Sequence, residues 1–462
     1  MLVLLFLYKH GITLPDNPTD LYKQFISLTL CRNLAKLGIT CKQVTADLQN
    51  LPDPCGEIIQ QLSRLSLDKL NSNQLVFTLD EIKGYCPQLE TIPGAINGFG
   101  LLQAVEHIDI FQAIKTFHFI HFSVQEYLAA HCILCLPPQE EYKILDEYFW
   151  SDIHHNMFNF YVSLTKGQSP SFKQYLCSGS EATFSIADKF LKNKMKRLRL
   201  YHCFYEADDK QMCHTIEKTF SDGVIKFPVP LSPSDLLDVT TMLTCSSIKQ
   251  WKMLEFGNCH IQDNGVRLLH RSLMNSGVSI HELRLYNNDL TSSSDSFLSD
   301  IVISCKVKVL NVGFSKAVGE SKHFMLLSKP STALEVLYMY DNEYSSAKWA
   351  EQLFTSLMTN KSLKKLWVDN NNITDEICVF ITKALLVNNT LNELYMGNNR
   401  ITGEAAQELI KALKENNALQ VLRLPKYPEN ITKVITDLQE VVNENRKEHG
   451  CDKKLEIKFP QF

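Results

Sequence analysis

Along the second half of this chain an eleven-residue pattern returns at an almost constant interval, and that interval narrows the possible folds more than any other feature. The segments LKKLWVDNNNI from Leu363 and LNELYMGNNRI from Leu391 share the frame LxxLxLxxNxI. Extended both ways, the frame puts first positions at Met195, Val224, Trp251, Ile280, Val307, Leu334, Leu363, Leu391 and Leu419, in steps of 29, 27, 29, 27, 27, 29, 28 and 28 residues. Apolar residues at positions 1, 4 and 6 describe a short strand with a buried edge, and position 9 must turn the chain out of it. Position 9 reads Cys203, Ser232, Cys259, Asn288, Ser315, Asn342, Asn371, Asn399 and Tyr427. Between strands, Ala406, Leu409, Ile410 and Leu413 fall on one helical stripe, so each unit predicts one strand and one helix. Units this small cannot bury their apolar faces alone and must stack. Pro228 and Pro230 predict a distorted strand in the Val224 unit, and Leu455–Ile457 predicts a closing strand.

A repeat near 28 residues with a full helix resembles the leucine-rich repeats of the ribonuclease-inhibitor type. The resemblance implies an α/β horseshoe solenoid over 195–462, with parallel strands on the concave side and helices on the convex side. In such an array positions 5 and 7 point away from the core. Position 5 reads Arg199, Pro228, Glu255, Arg284, Asn311, Tyr338, Trp367, Tyr395 and Arg423, and position 7 contributes Tyr201, Tyr286, Tyr340 and Asp369. Strands lie about 4.8 Å apart, so Tyr338, Trp367 and Tyr395 are expected to form a contiguous row with arginines to either side. Tyr, Trp and Arg dominate protein-binding hot spots. The predicted protein-binding set is Arg284, Tyr286, Tyr338, Tyr340, Trp367, Tyr395 and Arg423, and the alternative is a cross-strand ladder that only stabilises the sheet.

A length of 462 residues calls for two or three domains, or one domain plus an array. With 45% hydrophobic and 21% charged residues and a net charge of -4, the composition carries no electrostatic footprint for DNA or RNA. The opening MLVLLFLY lacks the basic start and small-residue cleavage site of a signal peptide and reads as a buried helix. No run approaches the roughly 18 apolar residues of a membrane span. Fourteen scattered cysteines do not form a disulfide framework and predict reduced thiols, hence a cytoplasmic setting in which sequons such as those at Asn360, Asn372 and Asn430 are coincidental.

Ahead of the repeats, Thr19 opens an amphipathic helix to about Leu37, and a second runs from about Cys55 to Leu70. Leu75–Phe77 reads as a strand, Thr78 with Glu81 as a capping box, Ala95–His107 as a helix and Ile110–Ile120 as a hairpin. That order is a winged helix. Between Gly84 and Thr116 the only Lys or Arg is Lys115, which disfavours DNA binding. In Phe117-His-Phe-Ile-His-Phe-Ser-Val-Gln-Glu-Tyr-Leu-Ala-Ala130, strand alternation gives way to a helix that Ser123 and Glu126 are expected to cap. This segment is similar to the signature that ends the winged-helix domain of animal NLR proteins, the nucleotide-binding leucine-rich-repeat receptors. Leu14-Pro15 and Pro18–Phe25 resemble a further segment of that family.

The resemblance spans nearly the whole chain. It implies a remnant of a helical domain at 1–18, a winged helix at 19–130, a second helical domain at 131–194 and repeats from 195. It also implies an intracellular role in innate immune sensing or regulation, exercised through protein partners, with self-association in a full-length form. At the position of His121 the family's histidine contacts the β-phosphate of ADP; the alternative for His121 is a structural histidine beneath the wing. A phosphate-cradling loop of the form GxxxxGK[ST] is not in this sequence, which contains no Gly-Lys dipeptide. No catalysis and no cofactor are therefore expected of these residues, with ADP or ATP entering only through a NACHT ATPase module upstream. Met1 falls, by this alignment, inside the last helix of the domain that follows such a module, as in a truncated gene model or a shortened relative. A stand-alone inhibitor built from repeats is a further reading. Cys132 and Cys135 beside His131 read as core packing rather than a metal site, and His154 and His155 read as surface residues.

Overall fold

The computed structural model describes residues 18–36, 55–87, 100–108, 113–176, 194–227, 230–274, 276–314, 332–342 and 348–460. The expected helix at Met1–Tyr8, the Leu14-Pro15 segment, residues 95–99, Pro228 and Ser315 lie outside them. The chain divides into two compact units, Met1–Ile216 and Glu217–Phe462.

The first unit opens with α1 (Pro18–Lys36) and α2 (Cys55–Asn71), then β1 (Phe77–Thr78), α3 (Leu79–Tyr85), β2 (Leu102–Ile108) and β3 (Ala113–Phe119). Thr78 caps α3 as expected: its hydroxyl accepts from Glu81 N–H, and the Glu81 carboxylate accepts from Thr78 N–H at 2.7 Å. The three strands form an antiparallel sheet in the order β1-β3-β2. This corrects the helix expected at Ala95–His107, because Leu102 to Ile108 pair with β3 along their whole length, from Leu102 opposite Phe119 to Ile108 opposite Ala113. Seven consecutive cross-strand partners hold this backbone extended, and a helix over the same residues would leave that edge of β3 without its partner strand.

Helix α4 (Phe122–Leu134) is the hub of this unit, with every residue from Val124 to Ile133 buried. It packs on α2 and on α6 (His155–Thr165), while α5 (Pro138–Tyr148) packs on α7 (Pro170–Leu176). Cys132 is buried and its thiol is pushed up to about 11, chiefly by burial, which fits a packing role; Cys135 is exposed. His154 and His155 are both buried, contrary to the surface placement expected for them. His154 bridges elements, with Nδ1 3.0 Å from Ser151 Oγ and Nε2 3.1 Å from Asn71 Oδ1. Helices α8 (Lys194–Glu206) and α9 (Lys210–Glu217) follow.

The Met195 unit is therefore not a strand. Its residues lie in α8, where Arg199 and Tyr201 are buried and Cys203 Sγ donates to Asn159 Oδ1 rather than capping a turn. The apolar pattern of residues 195–203 satisfies both periodicities, and the helix wins with every residue from Arg197 to Phe204 buried.

In the second unit nine parallel strands run in chain order from β4 to β12. They are β4 (Val224–Lys226), β5 (Gln250–Glu255), β6 (Ser279–Arg284), β7 (Val309–Asn311), β8 (Val336–Tyr338), β9 (Lys365–Trp367), β10 (Glu393–Tyr395), β11 (Val421–Arg423) and β12 (Glu456–Lys458). Position 4 is in register across the sheet: Leu283, Leu310, Leu337, Leu366, Leu394, Leu422 and Ile457 are successive partners. At β4 the frame slips by two residues, since Ile225, not Phe227, pairs with Leu254. Phe227 then takes position 6 and stacks on Phe256 at 4.7 Å, and Ser232 becomes the N-cap of α10 (Pro233–Cys245), in a capping box with Asp235. Among the described residues, helices α11 (Gln262–Leu273), α12 (Asp295–Ser304), α13 (Lys348–Thr359), α14 (Asp375–Val387), α15 (Gly403–Ala412) and α16 (Glu429–Glu448) lie between successive strands from β5 to β7 and from β8 to β12; α10 to α12 pack in succession, as do α13 to α16.

Two asparagine ladders hold the units in step. At position 9, Asn399 Oδ1 accepts from the N–H groups of Asn371 and Ile373 at 2.9 and 3.0 Å, and its Nδ2 donates to Val368, Met396 and Gly397 carbonyls. Asn371 and Asn288 do the same one or more units earlier. The second ladder, unread in the sequence, stands three residues before the frame: Asn416 Nδ2 donates to Leu385 and Asn388 carbonyls, and Asn388 Nδ2 to Leu357 and Asn360 carbonyls. Beyond Asn416 the buried Arg446 takes over, its guanidinium donating to Asn416 and Leu419 carbonyls at 2.5 and 2.8 Å. These bonds satisfy backbone groups that the turns would otherwise bury unpaired.

Candidate protein-interaction surface

Strands β8 to β11 alternate: the middle residue of each is buried, and the residues on either side are partly exposed. Position 5 therefore sits on the outer face, and adjacent strands bring consecutive position-5 residues together. Tyr338 and Trp367 rings lie 5.4 Å apart, and Trp367 and Tyr395 stack at 3.9 Å with planes 19° apart. The row extends further than the sequence implied. Tyr340 meets Tyr338 edge-on at 6.4 Å, and Phe314 meets Tyr340 edge-on at 5.4 Å. Phe314 is 47% exposed and holds a left-handed backbone at φ 51°, a conformation costly for a bulky residue.

Glycine at position 7 decides where the larger side chains lie. A Cβ on Gly313 would sit 2.8 Å from the Tyr340 ring, so that ring lies over β7's edge. A Cβ on Gly397 would sit 2.7 Å from Asp369 Oδ1 and 3.1 Å from Arg423 Nε, so both of those lean over the edge of β10. Tyr340 and Asp369 occupy neighbouring strands but lean in opposite directions. The gap between them is a pocket of about 390 Å³, lined by Asn311, Tyr338, Tyr340, Asp341, Trp367, Asp369, Asn370, Asn398 and Arg423.

The electrostatics of the pocket are uneven. Asp369 Oδ1 accepts from Gly397 N–H at 2.9 Å and faces Arg423 Nη1 at 3.6 Å, whereas Oδ2 is enclosed and makes no hydrogen bond. Burial pushes the Asp369 carboxyl above its usual range against the pull of Arg423 and Gly397. Trp367 Nε1 is likewise enclosed and unpaired. Tyr395 Oη donates to Glu393 at 2.8 Å, and Glu393 also pairs with Lys365 at 2.8 Å. Burial, then the Glu393 bond, raises the Tyr395 hydroxyl above the ordinary phenol range.

Of the predicted set, Tyr338, Tyr340, Trp367, Tyr395 and Arg423 thus come together. Arg284 and Tyr286 form a second group, separated from the first by β7. Arg284 Nε donates to Glu282 at 2.7 Å and Nη1 to Glu255 at 3.3 Å, while Tyr286 Oη donates to Glu255 at 3.0 Å. The Tyr286 ring covers Gly257, which has no side chain to displace it. This is an ionic latch whose polar groups are occupied. Asp341, Asn370 and Asn398 belong to the pocket and were not read as site residues. Their signal was available: each is position 8, with φ between 54° and 55°, where Asn and Asp are favoured.

His121 lies in the first unit, exposed, as the N-cap of α4. Its Nδ1 accepts from Ser123 N–H at 3.1 Å and lies 3.4 Å from Tyr22 Oη. The cap is therefore His121, one residue before the helix, rather than Ser123. The imidazole takes up a helix-terminal donor that an anion would otherwise use.

A Leucine Rich repeat family model matches residues 359–381 and 387–409, so two such repeats lie near the C-terminus. These segments contain β9 and β10, the strands that carry Trp367 and Tyr395. No curated protein matches the chain. Among solved structures, the leiomodin-1 actin-binding site 2 is similar to it at 19% identity, covering 47% of this chain and 94% of that one, with a TM-score of 0.21. No described helix is long and apolar enough to cross a membrane.

Proposed function

We propose that this chain is an NLR-like protein that acts by binding protein partners, through a concave face formed by positions 5 and 7 of a horseshoe of repeats. The observation that carries the reading is the run of rings from Phe314 to Tyr395 beside an open pocket on the outward face of the sheet. Exposed aromatic area of this kind has no use on a purely solvated face, and Tyr and Trp are the residues on which binding energy concentrates. The NLR element of the proposal rests on the sequence from Phe117 to Ala130 and on repeats following a helical region. With it come an intracellular, cytoplasmic setting and an innate immune or regulatory role, without catalysis and without a nucleotide bound by these residues alone.

The test places a photo-crosslinking residue at position 395, and in a second preparation at exposed position 379 on α14, in cells expressing the full chain. The expected result is crosslinked protein from position 395 that disappears on Trp367→Ala, with little from position 379. Equal yields from both positions, or yields indifferent to Trp367→Ala, would overturn the reading. Calorimetry with ADP tests the nucleotide element: no binding is expected, and micromolar binding abolished by His121→Ala would refute it.

A further inference from the structure

The pocket between Tyr340 and Asp369 holds more negative than positive charge. Asp341 and Asp369 face a single guanidinium, Arg423, and three ring systems, Tyr338, Tyr340 and Trp367, share its wall. Asp369 has bonding partners only on Oδ1; the ion pair to Arg423 is long at 3.6 Å, and Oδ2 has no donor. A partly buried carboxylate whose one ion pair is long keeps uncompensated negative charge at the pocket wall, and a cation entering the pocket gains from that charge. Ring faces carry negative quadrupole density, so the same cation gains from the aromatic wall. Asn370 Nδ2 already donates to Asp341 Oδ1, which fixes that second carboxylate at the rim.

From this arrangement we propose that the pocket receives a basic side chain, lysine or arginine, from a protein partner, with Asp369 as its counter-charge and Tyr338, Tyr340 and Trp367 as its walls. A volume of about 390 Å³ accommodates one inserted side chain, and not a folded segment. An acidic occupant is disfavoured because its carboxylate would meet two others. The inference rests on the reading that this face binds proteins, and goes further by specifying what is bound.

Random short peptides displayed on phage are selected on the full chain, and the recovered peptides are titrated calorimetrically into wild type, Trp367→Ala, Asp369→Asn and Arg423→Gln. The expected result is peptides that carry a Lys or Arg and lose affinity on Trp367→Ala. Replacing that basic residue by the neutral isostere norleucine should weaken binding about tenfold, as should Asp369→Asn on the protein. The norleucine comparison uses the unaltered chain, so it stands even where Asp369→Asn perturbs folding. Peptides that need Trp367 but no basic residue, or acidic peptides lost on Arg423→Gln, would overturn this inference while leaving the binding face intact. Should no recovered peptide depend on Trp367, the proposed function fails with it.

Discussion

The stack of Trp367 on Tyr395 makes a quantitative demand on the repeat sheet. With centroids 3.9 Å apart and planes at 19°, the pair has offset-stacked geometry, worth about 0.5–1.5 kcal/mol beyond the area it buries. Trp367 also touches Tyr338 at 5.4 Å, so Trp367→Ala removes two ring contacts and should cost roughly 1–3 kcal/mol. Its neighbour Leu366 is fully enclosed on the opposite face, and Leu366→Ala should cost about 2–5 kcal/mol because it leaves a cavity in the core. The difference between one residue and the next is the signature of a strand with one buried face. The assay is a double-mutant cycle of Trp367→Ala and Tyr395→Ala, with stability read by hydrogen exchange at the amides of β9 and β10. Local exchange is preferable to a global melt because stacked units unfold in coupled steps rather than in one. A coupling near 1 kcal/mol is expected; a value indistinguishable from zero would mean the stack does not form. If Trp367→Ala proved as damaging as Leu366→Ala, the assignment of position 5 to the outer face would be wrong.

Asn371→Ala should destabilise the repeats by about 1–3 kcal/mol, because it strands the Asn342 N–H in a buried turn and removes one of the two amides that donate to the Met339 carbonyl, whereas Asn370→Gly next to it, exposed and free to keep the left-handed backbone, should fall within roughly 0.5 kcal/mol; paired urea titrations decide this. In the first unit Glu126 is buried in α4, and burial pushes its carboxyl up to about 7 despite hydrogen bonds from Ser123 and Asn156. The folded state holds this proton where the unfolded chain releases it, so the term costs stability progressively as pH rises from about 4.5 to about 7 and is constant above. Glu126→Gln should therefore flatten that part of the stability profile and stabilise the unit at pH 8 by roughly 3 kcal/mol at most; a profile that keeps its slope in the variant would count against a raised Glu126.

How much of this was readable beforehand follows from how far each structure depends on local sequence. From Trp251 onward the frame placed every strand, because position 4 must be apolar to be buried and nothing else in the unit repeats so strictly. It failed where local pattern is ambiguous. The Met195 unit satisfies strand and helix spacing alike, and its burial within α8 depends on residues far along the chain such as Asn159. At β4 the frame slipped because Phe227 and Ile225 are equally apolar, and only pairing with β5 tells them apart. In the first unit the capping box at Thr78 was legible because both partners lie within one turn. The cap on α4 was not, since histidine is an unusual cap and Ser123 offered a conventional one.

The pocket itself follows from signals that were each present but were not combined. The doublets Asn287-Asn288, Asp341-Asn342, Asn370-Asn371 and Asn398-Asn399 carry two separate demands: the first residue takes a left-handed backbone, and the second turns inward to hold the ladder. Glycines at 257, 313 and 397 mark the strands over whose edges a neighbour's side chain lies. Where a glycine precedes a tyrosine by one unit, as at 313 and 340, the ring lies back over it. Where glycine follows an aspartate, as at 397 and 369, the carboxylate leans forward. Between β8 and β9 these two directions meet and part, which makes that junction the place where the aromatic row opens into a pocket. At β6 the same rule folds Tyr286 back over Gly257, and there Glu255 and Glu282 occupy the arginine and the phenol, so the surface closes on itself. The distribution of three glycines and three carboxylates thus separates a sealed, charged half of the sheet from an open, aromatic half, and the open half is the one that keeps unsatisfied groups at Trp367 and Asp369.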